Sequence, residues 1–148
     1  MGWHDVTVHG FAIQGCDDAR SHDFLLDIDY IFKWVKPLPP SKYFSFWVAP
    51  CTLAFKNVFD MGMMIEPTGD SLTLPEIQGL ELVSSGEQEK GVFVYEWHIC
   101  FHSFGDIRLK SYGFEQIVRA APVLQNAQVI NSEERGSISF SRLPHIKL

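Results

Sequence analysis

Residues able to bind metal or move protons recur at a spacing of two in Glu96-Trp97-His98-Ile99-Cys100-Phe101-His102. Side chains two apart on an extended strand share a face. Glu96, His98, Cys100 and His102 therefore form one row, with Trp97, Ile99 and Phe101 in an opposing row that faces a core. Imidazole, thiolate and carboxylate all ligate zinc and related divalent ions, which makes the first row a candidate metal site. Neighbours in such a row stand about 6–7 Å apart, so two of them can share an ion, whereas His98 and His102 on a straight strand do not. The competing expectation is a solvated sheet face that carries polar groups.

A second group combines His4, Asp5 and His9 with Asp27 and Asp29. Asp27 and Asp29 share a strand face, where two carboxylates can coordinate a cation or raise one another's pKa. Asp5 and His9 also share a face, while His4 falls on the opposite one if the strand is regular. Pairing of the two segments as neighbours would create an imidazole and carboxylate patch suited to binding or acid/base work. A catalytic role also needs a positioned nucleophile and a pocket, and neither is visible in the sequence. The plainer expectation is that these groups keep an outer sheet face soluble and discourage edge pairing.

Recognised catalytic motifs are absent: there is no GxSxG elbow, P-loop, GxGxxG turn or HExxH helix. Cys51 and Cys100 have apolar neighbours and read as small core residues. With Cys16 they make an odd, widely spaced set without a CxxC zinc signature, which fits reduced thiols in a cytoplasmic protein. No N-terminal signal peptide is expected, because Met1-Gly2-Trp3-His4-Asp5 lacks a basic region followed by an apolar stretch.

The elements that must position these groups are strands. From His4 to Ile13, Val6 and Val8 alternate with polar residues. From Phe24 to Trp34, Leu26, Ile28, Tyr30, Phe32 and Trp34 form one row, and Asp27, Asp29 and Lys33 punctuate the other. Period-two alternation marks a half-buried strand. Pro37, Pro39 and Pro40 end it. Phe44 to Val48 and Thr52 to Val58 read as strands joined through Ala49-Pro50, and Met61 to Glu66 as a short strand before the turn at Pro67-Thr68-Gly69-Asp70. Leu80 to Val83 pairs next, Ser84 to Gly91 reads as a polar loop, and Val92 to Ser103 is a long strand. Gly105-Asp106 is the expected hairpin tip, returning through Ile107 to Tyr112. Phe114 to Ala121 extends that return or forms the minor helical turn, and Ser137 to Ser141 is a weak final strand. The expected architecture is one all-β domain over residues 1–148, a sandwich or partly closed barrel of antiparallel strands.

Composition narrows the function. A chain of 148 residues, 46% hydrophobic and 14% aromatic, has ample material for a packed core. Its net charge is −6 and it has no basic run, so nucleic acid and anionic lipid are poor partners. No apolar run approaches the roughly 20 residues of a membrane-spanning helix. The clusters Phe32 to Trp34 and Tyr43-Phe44-Ser45-Phe46-Trp47 flank the proline turn, and partial exposure of Trp34, Tyr43 or Trp47 would suit a protein-binding patch.

The opening Trp3-His4-Asp5-x-x-Val8-His9-Gly10 and the strand Leu26-Asp27-Ile28-Asp29-Tyr30 resemble those of a group of small, largely uncharacterised bacterial proteins. Phe46-Trp47-Val48-Ala49-Pro50 and Gly113-Phe114-Glu115-Gln116 continue the likeness. Some proteins with comparable openings are grouped among predicted immunity proteins of bacterial toxin systems. The resemblance implies a bacterial cytoplasmic binding protein and brings no catalytic residues with it. The resulting expectation is a non-catalytic protein-binding or self-associating module without a cofactor. The alternative is a metal-dependent or acid/base enzyme that uses the His/Asp cluster and a divalent ion.

Overall fold

The computed structural model describes residues 2–15 and 20–145. Its elements are β1 (Val6–Gly15), β2 (His22–Val35), β3 (Ser45–Lys56), β4 (Phe59–Ile65), β5 (Glu76–Glu89), β6 (Val92–Phe101), β7 (Gly105–Ser111), β8 (Gly113–Val118), β9 (Val123–Gln125) and the single-turn helix α1 (Ser132–Arg135). The strands form one antiparallel sheet in the order β4-β7-β6-β5-β1-β2-β3-β8, with β9 continuing on β3 beyond β8. The chain is all-β, and the sheet does not close into a barrel.

Two halves of the sheet meet at a narrow joint. β1 pairs with β5 only through Val6↔Ile77 and Thr7↔Glu76, whereas β1 pairs with β2 from Thr7 to Gly15, against Asp29 to His22. The sheet bends there and buries one face against itself. Val6, Val8, Leu26, Ile28, Leu53 and Phe55 from one half pack on Ile77, Trp97, Ile99, Phe101, Ile107 and Leu109 from the other. At the far seam Trp97 stacks at a tilt on Phe114, with ring centroids 4.9 Å apart. Burial of large aliphatic and aromatic side chains on this inner face is the main stabilising term.

The second face of β2 and β3 is also covered. Residues 126–145 cross it, with Ile130 packing on Ile31, Phe46 and Val48, and Phe140 on Leu25, Ala54 and Ile117. β1 makes room for this cover, since a Cβ on Gly10 would meet Ile138 at 3.3 Å and Phe140 at 3.4 Å.

Several local expectations are corrected. Phe44 to Val48 and Thr52 to Val58 are one strand, β3, which runs straight through Pro50. Pro50 is tolerated because it falls where β9, paired up to Val48, gives way to β8, paired from Cys51. Ser84 to Gly91 is no loop, because β5 runs to Glu89 and the polar residues belong to a long exposed hairpin. Residues 113–118 are strand, and the helical turn lies instead at Ser132–Arg135, where Asn131 caps the Glu133 N–H. Ser137 to Ser141 is irregular cover without ladder partners. The β6–β7 turn is at residues 102–104. Gly105 follows it at φ +137°, where a Cβ would stand 2.0 Å from the Met64 carbonyl oxygen, so the close approach of β4 requires glycine. A bulge between Ile31 and Lys33 moves Trp34 out of the Leu26–Phe32 row and sets it opposite Phe46 on the other face.

Candidate functional site

A densely hydrogen-bonded polar assembly is centred on Asp27 and Asp29, both fully buried. They occupy the non-core row of β2, as alternation requires, but that row faces the cover and not solvent. The expected solvated acidic patch is therefore absent at these two residues. All four carboxylate oxygens are satisfied. Asp27 Oδ1 accepts from Arg119 Nη2 and Arg135 Nη2, and Oδ2 accepts from Arg135 Nη1 (3.1 Å) and the Ser139 N–H (2.9 Å). Asp29 Oδ1 accepts from Arg135 Nε at 2.7 Å, while Oδ2 is 2.9 Å from His9 Nε2 and accepts the Ile130 N–H at 3.0 Å. Burial by itself would raise the Asp29 pKa, but the hydrogen bonds from His9, Ile130 and Arg135 outweigh it and hold the carboxyl below its usual range. His9 reaches Asp29 because it is the extra residue of a bulge between Val8 and Gly10.

This cluster has a structural reason. The cover has no strand ladder, and buried backbone donors must be paired somewhere. Two carboxylates on the sheet accept N–H groups from Ile130 and Ser139, and Arg135, delivered by α1, bridges both aspartates. Asp23 repeats the arrangement nearer the strand start, pairing with Arg142 and accepting the Asn57 N–H. Asp27 and Asp29 are thereby occupied, and neither has an oxygen left for general base work.

The row Glu96, His98 and Cys100 lies on the outer face of β6, opposite buried Trp97, Ile99 and Phe101. Glu96 Oε2 accepts from Ser84 Oγ at 3.0 Å. His98 Nε2 is 2.9 Å from Asp106 Oδ2, and Cys100 Sγ lies 3.5 Å from His98 Nδ1 and 3.4 Å from Nε2. The near-equal distances put the sulfur over the ring, out of line with either nitrogen lone pair, so the trio is no proton relay. Burial first, and then Asp106 and Glu81, push the Cys100 thiol up, opposite to what a nucleophile needs. His102 does not belong to this row, since it sits in the turn beyond β6.

His102 instead meets His4 and Asp5, which stand in a turn before β1 and not on the strand. His4 Nδ1 is 2.9 Å from Asp5 Oδ2, and His102 Nε2 is 3.3 Å from Asp5 Oδ1. Of the expected patch, His9 joins Asp29, while His4 and Asp5 form a separate group at the sheet joint. Sequence reasoning missed Arg119, Arg135 and Asp106, which lie distant in the chain from, or across a turn from, the groups they serve. Nothing in local spacing marks them.

Trp34 and Trp47 are both exposed but lie on opposite faces, with Trp34 beside Phe44 and Phe46 and Trp47 between Lys33 and Leu124 in the pairing. An apolar cavity of about 150 Å³ lies between the layers, lined by Val8, Phe11, Leu26, Phe101, Phe104 and Ile107. No helix among the described residues is long and apolar enough to cross a membrane. No family model, no curated protein and no solved structure matches the chain.

Proposed function

We propose that the protein is a non-catalytic module that binds another protein, and that the β5–β6 hairpin is its contact element. One observation carries the reading: every residue from Glu81 to Phe93 is exposed although the hairpin is regularly paired. An ordered hairpin with both faces in solvent has little packing reason to carry Leu82, Val83, Val92 and Phe93, all of which are exposed. Glu81, Glu87 and Glu89 surround them with only Lys90 in opposition, which suits a partner with a basic surface.

The electrostatics support the same partner. Asp23, Asp27 and Asp29 are neutralised internally by Arg119, Arg135 and Arg142, so the whole net charge of −6 belongs to the rest of the chain. Register shifts at Ile77/Gly79, Leu82/Ser84 and Glu87/Glu89 interrupt the edge of β5, so recognition runs through side chains and not through strand addition. The sequence resemblance to predicted immunity proteins makes a toxin in the bacterial cytoplasm the partner of this reading.

The test is capture of partners at low and high salt, followed by association kinetics with the purified partner. The expected partner is basic, and the complex is salt-sensitive. The double variant Glu81→Lys/Glu89→Lys should associate at least tenfold more slowly at low salt, where steering is strongest. An unchanged association rate at low salt would sink the reading.

A further inference from the structure

The geometry points to a transition-metal site formed by His4, Asp5 and His102, selective for ions of the Zn²⁺ class. Among the described residues this is the one group of three or more such side chains whose ligand atoms gather, all within 4.8 Å of one another. Donors around a single Zn²⁺ at about 2.0–2.2 Å stand roughly 3–3.5 Å apart, so a small rotation of exposed His4 completes the set. Two nitrogens and one carboxylate oxygen suit borderline ions and disfavour Ca²⁺ and Mg²⁺, which prefer all-oxygen shells.

Three further features separate this group from a chance surface contact. His102 Nε2 is shielded from solvent yet makes no well-aligned hydrogen bond, although Asp5 Oδ1 is 3.3 Å away. Asp5 is held at φ +62°, a left-handed conformation that costs a residue with a Cβ, and its N–H is fixed on the Ile77 carbonyl at 2.8 Å. The His102 N–H is fixed in turn on the Glu76 carbonyl at 2.9 Å. Both ligand-bearing turns are thus anchored to β5 at Glu76 and Ile77, the two residues through which β5 pairs with β1. An ion there clips the start of β1 to the end of β6 across the joint between the two halves. Three protein ligands leave a coordination position for water on the exposed His4 side.

The experiment is calorimetric titration of the tag-free full chain with ZnCl₂, paralleled by thermal unfolding with and without Zn²⁺. The expected result is one equivalent bound, with a higher melting temperature. His4→Ala and His102→Ala should each weaken binding at least tenfold, and CaCl₂ should give no heat. His98→Ala is the control for the outer-face cluster and should bind as the parent does. His4 is exposed, so His4→Ala keeps the fold even if His102→Ala does not. Absence of Zn²⁺ binding, equal affinity in His4→Ala, or loss confined to His98→Ala would each overturn the assignment.

Discussion

Two of the histidine and aspartate assemblies among the described residues, one around Asp27 and Asp29 and one around Asp5, use the same chemistry in contrasting settings. Around Asp27 and Asp29, two guanidinium groups, one imidazole and two backbone N–H groups satisfy every oxygen of two buried carboxylates. Around Asp5, two imidazoles approach one carboxylate at the surface, and a shielded ring nitrogen is left without an aligned partner. Residue type is the same in both. What differs is the supply of donors: where arginines and backbone converge the cluster is a fastener, and where they do not, a ring nitrogen is left without an aligned partner. Completeness of hydrogen bonding thus separates the two clusters more clearly than the presence of histidine and aspartate does.

The contrast can be broken most severely at Asp27. Asp27→Ala leaves Arg119 and Arg135 buried without their shared carboxylate, and removing one partner of a buried ion pair costs about 3–5 kcal/mol. Urea unfolding should show that loss, with the cover released first and Trp34-side packing following. A loss under 1 kcal/mol would mean that the cover is not fastened by this cluster.

A smaller loss is expected from Asp29→Asn, about 1.5–3 kcal/mol for hydrogen bonds to charged groups. It also tests the pH dependence. The folded pKa of Asp29 is depressed, so its contribution is present above the unfolded carboxylate value and disappears as pH falls through the lower folded value. The parent should lose stability below about pH 4, and Asp29→Asn should lose less over the same window. Equal acid slopes would remove Asp29 from the account.

Thiol reactivity sharpens the comparison of inner and outer faces. Burial pushes Cys51 up to about 11, whereas Cys100 is raised but half-buried. Alkylation at pH 8 should reach Cys100 slowly and leave Cys51 unmodified until the chain unfolds, as read by peptide mapping. The smallest effect belongs to the open cluster. His4→Ala should change metal-free stability by less than about 0.5 kcal/mol, because the ring is largely exposed.

Much of the fold was legible in the sequence because strands carry a period of two. The alternation in Phe24 to Trp34 separates Leu26 and Ile28 from Asp27 and Asp29 correctly, and that in Val92 to Ser103 does the same for Ile99 and His98. The pattern distinguishes two faces but does not say what lies over each. Asp27 and Asp29 read as solvated because Arg135 and Ser139, which cover them, come more than 100 residues later. Trp34 was misplaced because a bulge adds one residue without a composition signal. The hairpin read as a loop because its polar residues resemble turn material, although cross-strand pairing keeps it extended.

The sequence by itself determined the all-β class, the inner core rows and the acidic surface, since each follows from local alternation or from summed charge. Tertiary structure alone decided which carboxylates are buried, which histidines meet, and where a strand bulges. Those outcomes depend on contacts between segments distant in the chain, and a buried charge is tolerated only where such contacts deliver its partners.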